Sequence, residues 1–166
     1  MTRLSALLGS GLFLLIAPGT LAGLIPWSWT DWRLPEPLSP ALAVPGALLI
    51  LFGAAVLLEC FWRFSWTGLG TPAPVAPPQS LVVSGFYRHV RNPMYVAVTS
   101  LIFGQALLFA RPALAVYGAI IWGCFHLFVL GYEEPTLRQR HGESYEAFVR
   151  NVPRWIPRLT AWRGSP

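Results

Sequence analysis

Two adjacent glutamates close an apolar stretch in the second half of the chain. Glu133 and Glu134 are followed directly by Pro135. Carboxylates at a membrane boundary are costly unless they are solvated or paired. Arg138 lies one helical turn after Glu134, so an ion pair along the helix accounts for that residue. Glu133 has no such partner nearby in sequence, and its carboxylate could face inward and bind an ammonium, a sulfonium or ribose hydroxyls.

A histidine precedes these glutamates in the same apolar stretch. His126 lies seven residues before Glu133, so both side chains project from one helix face. The histidine is then about 10 Å deeper along the helix axis. Ionisable groups inside a membrane segment are functional candidates, and His126 is the candidate catalytic proton acceptor. The structural alternative is a neutral histidine bonded to a neighbouring helix, for example at Gln105 or Thr99.

A second polar cluster, from Gly85 to Tyr95, lies where another apolar stretch begins. Pro93 suits the first turn of a helix, where its missing N–H would have no partner. Asn92 is then a natural N-cap. The free N–H groups of such a helix start favour an anionic ligand group. The alternative interpretation is an anchor of aromatic and arginine side chains at the membrane interface.

The composition indicates that helices of a membrane protein position these groups. The chain is 54% hydrophobic and 11% charged, whereas a soluble domain is about 25% charged. The prediction is an all-α polytopic membrane protein with about four transmembrane helices. The four apolar segments are residues 4–25, 38–62, 94–110 and 113–132, and their lengths suit a bilayer. Arg111 and Pro112 alone separate the last two, which predicts a tight helical hairpin.

The first apolar segment has a second interpretation as a cleaved signal peptide. Arg3, the apolar stretch and the small residues around Ala22 fit that pattern. The stretch continues to Trp27 and Trp29, however, which is typical of the aromatic belt at the end of a span.

The arginines predict the orientation. All twelve basic residues are arginine, and the net charge is +5. Ten of them lie before the first span, between the second and third, or after the fourth. The positive-inside rule then places both termini and the site in the cytosol. We therefore expect a multi-pass protein of the plasma (inner) membrane, and we interpret the basic charge as a topology signal and not as a nucleic-acid surface.

The segments outside the bilayer are too short to be separate domains. The connector, residues 63–92, and the tail, residues 133–166, each hold about thirty residues, whereas domains are typically 50 or more. Residues 1–166 are therefore predicted to be one domain whose site combines helix ends, connector and tail. Residues 136–150 predict one short amphipathic helix on the membrane surface. Cys60 and Cys124 lie in apolar runs and indicate free thiols, without a metal motif.

Taken together, these segments resemble the isoprenylcysteine carboxyl methyltransferase family, which is related to the phospholipid N-methyltransferases. The shared motifs are G-x-Y-x-x-x-R-[HN]-P-x-Y, E-E-x-x-L after a helical hairpin, [FH]-G-x-x-Y-x-x-[FY], and V-P-x-x-x-P. In this chain they begin or fall, in order, at Gly85 to Tyr95, Glu133 to Leu137, His141 to Tyr145, and Val152 to Pro157. The resemblance covers about the last half of the chain.

The resemblance implies an all-helical fold whose connector and tail enclose S-adenosylmethionine. It also implies methyl transfer to an amphiphilic or small-molecule acceptor reached from the lipid bilayer. By position, the family's cofactor contacts correspond to Gln79, Ser80, Leu81, Val82, Tyr87, Asn92, Pro93, Met94, Tyr95 and Glu133.

One departure from the family bears on the acceptor. Carboxyl-methylating members carry an arginine one turn before the glutamate, and here that position is Val129. An amine, a thiol or a neutral lipid group is therefore expected in place of a prenylcysteine carboxylate. The alternatives are a phospholipid or small-molecule N- or S-methyltransferase, with His126 or Glu133 as base, and a non-enzymatic membrane scaffold.

Overall fold

Helices make up all the regular structure in the part of the chain that is described. The computed structural model describes residues 3–66 and 81–164, and every regular element in these ranges is helical. Three helices are long and apolar enough to cross a membrane, namely Leu8–Thr30, Pro40–Arg63 and Pro112–His141, and a shorter apolar helix spans Pro93–Leu108. The prediction of an all-α polytopic membrane protein is confirmed.

The first helix is longer than the sequence predicted. Helix α1 (Arg3–Gly19) continues through a π-helical turn, Thr20–Leu24, into α2 (Ile25–Thr30). Pro26 would leave one backbone bond unmade in a regular helix, and the wider turn before it absorbs this defect. Asp31, in the left-handed conformation with φ 48°, ends the helix.

Side chains of later helices bind the carbonyls of this π-turn. Gln105 donates from its amide nitrogen to the Ala22 carbonyl at 2.7 Å. The Tyr117 hydroxyl donates to the Leu21 carbonyl at 3.0 Å. Backbone polar groups inside a bilayer need such partners. The segment that also fitted a signal peptide is thus packed into the helical bundle.

Helices α3 (Pro40–Trp66) and α4 (Pro93–Leu108) pack closely against each other. A Cβ added at Gly53 would lie 2.7 Å from the Ala97 carbonyl oxygen, and one added at Gly104 would lie 2.8 Å from the Gly46 oxygen. Small residues of this kind let membrane helices approach closely. With 16 residues, α4 is about 24 Å long, which is shorter than a hydrocarbon core of about 30 Å.

The third and fourth apolar segments form the predicted hairpin. Helix α5 (Pro112–Phe128) follows α4 after a turn at Ala110 and Arg111. It continues through a second π-turn, Val129–Glu133, into α6 (Glu134–His141). The sequence predicted that this span ends at residue 132. The helix instead runs on without a break, because the π-turn accommodates the missing N–H of the proline.

The tail differs from the single surface helix that the sequence predicted. Gly142, with φ 49°, separates α6 from α7 (Glu143–Asn151). The apolar side of α7 packs against the end of the connector and not against lipid. This second core contains Tyr145, Phe148 and Val152, with Leu81, Val83, Leu137, Val149 and Trp162 around it. The amphipathic pattern was correct, but its apolar side faces protein.

The chain after α7 runs back along the connector. The amide of Arg91 donates to the Pro153 carbonyl at 2.8 Å, and the amide of Arg158 donates to the His89 carbonyl at 3.0 Å. The His89 ring nitrogen Nδ1 lies 2.8 Å from the Arg158 carbonyl. These bonds fix the tail beside the start of α4, where the polar clusters meet.

Candidate functional site

The two polar clusters of the sequence meet at a hydrogen bond between helices. The Tyr95 hydroxyl, one turn into α4, donates to the Glu133 carboxylate at 2.8 Å. The Tyr95 ring lies against Phe125 of α5, with ring centroids 4.5 Å apart. The hairpin turn makes this contact possible, because it returns the end of the fourth apolar helix to the level at which the third begins.

Tyr87 adds a buried hydroxyl from the connector. It lies in the 3-10 turn Gly85–Arg88 and is 8% exposed. Burial raises the pKa of Tyr87 well above its usual range, and nearby Cys60 and Glu133 raise it further. Tyr87 is therefore a neutral hydroxyl at physiological pH. Gly85 has φ 55°, and a side chain there would also collide with the ion pair of Glu59 and Arg63.

At the start of α4 the residues occupy the predicted positions, but the predicted capping hydrogen bond is not formed. Asn92 occupies the N-cap position and Pro93 the first turn, yet the Asn92 side chain makes no cap hydrogen bond. Its amide nitrogen instead donates to the Arg154 carbonyl at 3.2 Å. The predicted capping bond was wrong, because the tail offers an acceptor and the amide turns towards it. Pro93 is buried, and Met94 packs against the main core.

The residues before the G-x-Y motif were expected to contact the cofactor, and the two that are described lie in different clusters. Val82 is buried in the main core with Tyr87. Leu81 packs against the cluster of the tail helix α7. Gln79 and Ser80 lie outside the described residues.

Glu134 binds three arginines. Its side chain is 4% exposed, and Arg154 donates to both of its oxygens, at 2.6 and 3.1 Å. Arg91 lies 3.1 Å and Arg138 3.7 Å from the carboxylate. The hydrogen bond to Glu134 raises the pKa of Arg154. The sequence predicted the Arg138 pair, which the structure contains, but missed the two arginines from the connector and the tail.

His126 has a different partner from those predicted. The Trp155 indole N–H donates to His126 Nδ1 at 3.0 Å, and the imidazole stacks on Trp122 with centroids 5.3 Å apart. The expectation of a bond to Gln105 or Thr99 was wrong. Gln105 is occupied with the first helix, and Thr99 donates to carbonyls of its own helix.

This bond bears on the predicted role of His126 as a proton acceptor. A neutral imidazole has one acceptor nitrogen. Because Nδ1 accepts from Trp155, a neutral ring would carry its proton on Nε2, and Nδ1 is already occupied by the indole. In this arrangement His126 positions Trp155. The sequence signal for Trp155 was its place in the V-P-x-x-x-P motif of the tail.

Comparisons with known proteins agree with these motifs. A family model described as phospholipid methyltransferase matches residues 42–144. A curated relative, protein-S-isoprenylcysteine O-methyltransferase B of Arabidopsis thaliana, is 29% identical over 77 residues, which is 46% of this chain and 39% of that protein. The match thus spans well under half of the relative's length. Because the family model covers more than half of the chain, from α3 into α7, the chain belongs to the phospholipid methyltransferase family.

Proposed function

We propose that this protein transfers a methyl group from S-adenosylmethionine to an acceptor reached from the membrane. The site would lie between the start of α4 and the end of the α5–α6 helix. The observation that carries the proposal is the 2.8 Å bond from Tyr95 to Glu133, because it brings together two motifs that are distant in sequence. Tyr87, a third motif residue, lies close enough for Glu133 to influence its pKa.

The chemistry of these groups suits S-adenosylmethionine. Glu133 forms no ion pair within the described ranges, whereas its neighbour Glu134 has three arginines. A ligand ammonium or ribose hydroxyl would satisfy the Glu133 carboxylate. The rings of Tyr95 and Phe125 could attract a sulfonium through their π faces. The N–H groups at the start of α4 would favour a carboxylate.

The roles of the protein groups follow from the reaction type. The bound cofactor would supply an electrophilic methyl group on a sulfonium. An in-line displacement needs alignment and exclusion of water more than acid–base groups. Tyr95 and Glu133 would orient the cofactor. The tail, held over the start of α4 by Asn92 and Arg91, would close the site against water.

Two observations favour an acceptor other than a carboxylate. Val129, which occupies the family's arginine position, is fully buried, so no cation is available there. The nearby Arg138 and Arg154 already bind carboxylates of the protein. A carboxylate that entered this site would lose its hydration without gaining a counter-ion. We therefore favour an amine, a thiol or a neutral lipid group, and Glu133 is better placed than His126 to accept a proton.

Cofactor binding is the first test. Losing one charge-assisted hydrogen bond costs about 1.5 to 3 kcal/mol, so Glu133→Ala should weaken S-adenosylmethionine binding roughly ten- to a hundredfold, measured by calorimetry in detergent. The matched control is Glu143→Ala, which removes an exposed carboxylate from α7 and should bind like the wild type. Equal affinity for all three proteins would remove Glu133 from the site. A wild type that binds no cofactor would support the scaffold alternative.

Acceptor identity is the second test. The purified protein would be incubated with membranes and methyl-labelled S-adenosylmethionine, and the labelled product identified. We expect an N-, S- or neutral lipid product. If a prenylcysteine analogue is methylated as efficiently as every amine, thiol and lipid tried, the inference drawn from Val129 fails.

A further inference from the structure

The tail loop, residues 153–159, lies beside a membrane-spanning helix, deeper along the helix axis than Glu133. Its Trp155 donates to His126, and the Trp155 ring is 5.9 Å from that of Trp122. His126 is seven residues before Glu133 in one continuous helix, which corresponds to about 10 Å along the axis. The indole therefore reaches into the part of the molecule that the bilayer surrounds.

Two large apolar side chains of this loop have no protein cover. Leu159 is 99% exposed and Ile156 is 80% exposed. Both fractions exceed that of Leu127, which neighbours His126 on the spanning helix and is 71% exposed. Side chains with this exposure on a spanning helix face lipid, and the loop is anchored to that same helix.

The charges around the loop fit a lipid headgroup region. Arg150 and Arg163, which flank the loop, are exposed, and no acidic side chain in residues 81–164 pairs with them. The Arg158 guanidinium donates to the Asn151 carbonyl. Arg154 is turned inward to Glu134 instead. Arginines around exposed aliphatic and aromatic side chains are typical of a segment at the boundary between headgroups and acyl chains.

We infer that the tail loop enters the bilayer, with Ile156 and Leu159 among the acyl chains and the flanking arginines near lipid phosphates. The inference does not depend on methyl transfer. If the proposed function holds, the loop also forms the membrane-side wall of the site, because the Trp155 ring lies 6.5 Å from that of Tyr95. A lipid-borne acceptor would then reach Glu133 past this loop.

Site-directed spin labelling in lipid vesicles tests the inference without an activity assay. The native Cys60 and Cys124 would be replaced by alanine, and single cysteines introduced as Ile156→Cys and Leu159→Cys. Both positions are exposed, so a label should leave the fold intact. Collision with oxygen, which concentrates in lipid, is compared with collision with a water-soluble nickel chelate. Glu143→Cys on α7, an exposed position outside the candidate span Pro112–His141, serves as the water-facing control.

Labels at positions 156 and 159 should collide with oxygen at least several-fold more than with nickel, and the control label should show the reverse. The exposed native Cys124, labelled alone, gives the reference for a lipid-facing site on α5. Nickel accessibility equal to that of the control would overturn the inference. Protection from both reagents together with dipolar broadening between copies would identify a protein interface and would also overturn it.

Discussion

Glu133 and Glu134 are adjacent in sequence but have different partners. Successive side chains on a helix point about 100° apart. Glu133 therefore faces Tyr95 of α4, whereas Glu134 faces the connector and tail, where Arg91 and Arg154 lie. One carboxylate thus accepts only a neutral hydroxyl among the hydrogen bonds of the described residues, and the other joins segments of the protein. The two glutamates therefore do not form a single acidic site.

The first prediction concerns the carboxylate that joins these segments. Removing one partner of a buried ion pair costs about 3–5 kcal/mol. Glu134→Ala leaves the buried Arg91 and the partly exposed Arg154 without their counter-ion, so it should lower the stability by up to about that amount. Thermal unfolding in detergent, followed by circular dichroism, measures the change.

Glu146→Ala is the control for this prediction. The Glu146 side chain is 43% exposed in its pair with Arg138, and exposed pairs contribute about 0–1 kcal/mol. If the two variants lose a similar amount of stability, the three arginines do not need Glu134 as their counter-ion. Because Glu134→Ala is expected to destabilise the fold, Glu143→Ala is the better control for cofactor binding.

The family motifs predicted which side chains would meet, but local spacing could not predict their other partners. The meeting of Tyr95 and Glu133 follows from the motif order and the hairpin. The partners of Asn92 and His126 come from the tail, 62 and 29 residues away. Tertiary packing decides the path of that tail, and no periodicity in the sequence reports it.

Two prolines do not end the helices that contain them. Pro26 and Pro135 each follow a π-turn, and each helix continues past them. In water a proline commonly ends a helix, but in lipid an ended helix would expose unpaired backbone groups. The wider turn keeps most of these groups bonded. This explains why the apolar runs located the helices well but placed two of their ends too early.

The second prediction tests the contact between α3 and α4. Gly53→Ala would place a methyl group 2.7 Å from the Ala97 carbonyl and 2.9 Å from the Leu101 side chain. Since the first of these is backbone, the helices must move apart, and overpacking of this kind costs about 1–3 kcal/mol. Unfolding by increasing SDS in mixed micelles measures the loss.

A second glycine in a helix supplies the matched comparison. Gly123 lies within α5, and an added Cβ there would meet no atom within 4 Å. Gly123→Ala should leave the stability unchanged or raise it by up to about 1 kcal/mol, through helix propensity alone. If both alanine variants behave alike, close approach of the backbones is not what the Gly53 position requires.

The distribution of arginines also predicts how the helical bundle is oriented in the membrane. The side of the bundle that bears the connector and tail carries ten of the twelve arginines, and the proposed cofactor is made in the cytosol. The third prediction is that this side is cytosolic. In intact cells, a membrane-impermeant maleimide should label Ala110→Cys, on the turn between α4 and α5, but not Glu143→Cys, on α7.

These two positions are exposed and lie in segments on opposite sides of the bundle. Cys60 and Cys124 would first be replaced by alanine, and cell lysis should then expose Glu143→Cys to the reagent. Labelling of Glu143→Cys from outside would invert the topology and place the site away from the proposed cofactor.

The glycine contact between α3 and α4 joins two pieces of the molecule, the helices before the connector and the helices after it. Gly46 and Gly104 meet through backbone atoms, and Gln105 and Tyr117 of the later helices bind carbonyls of the first. All of these contacts join residues of one helix to residues of another and do not involve the connector. They therefore do not require that one polypeptide carry both halves. Two separately translated fragments, residues 1–70 and 71–166, should therefore find each other in a shared membrane and pair with native register. A split gene, or one whose halves were reordered, would encode the same assembly.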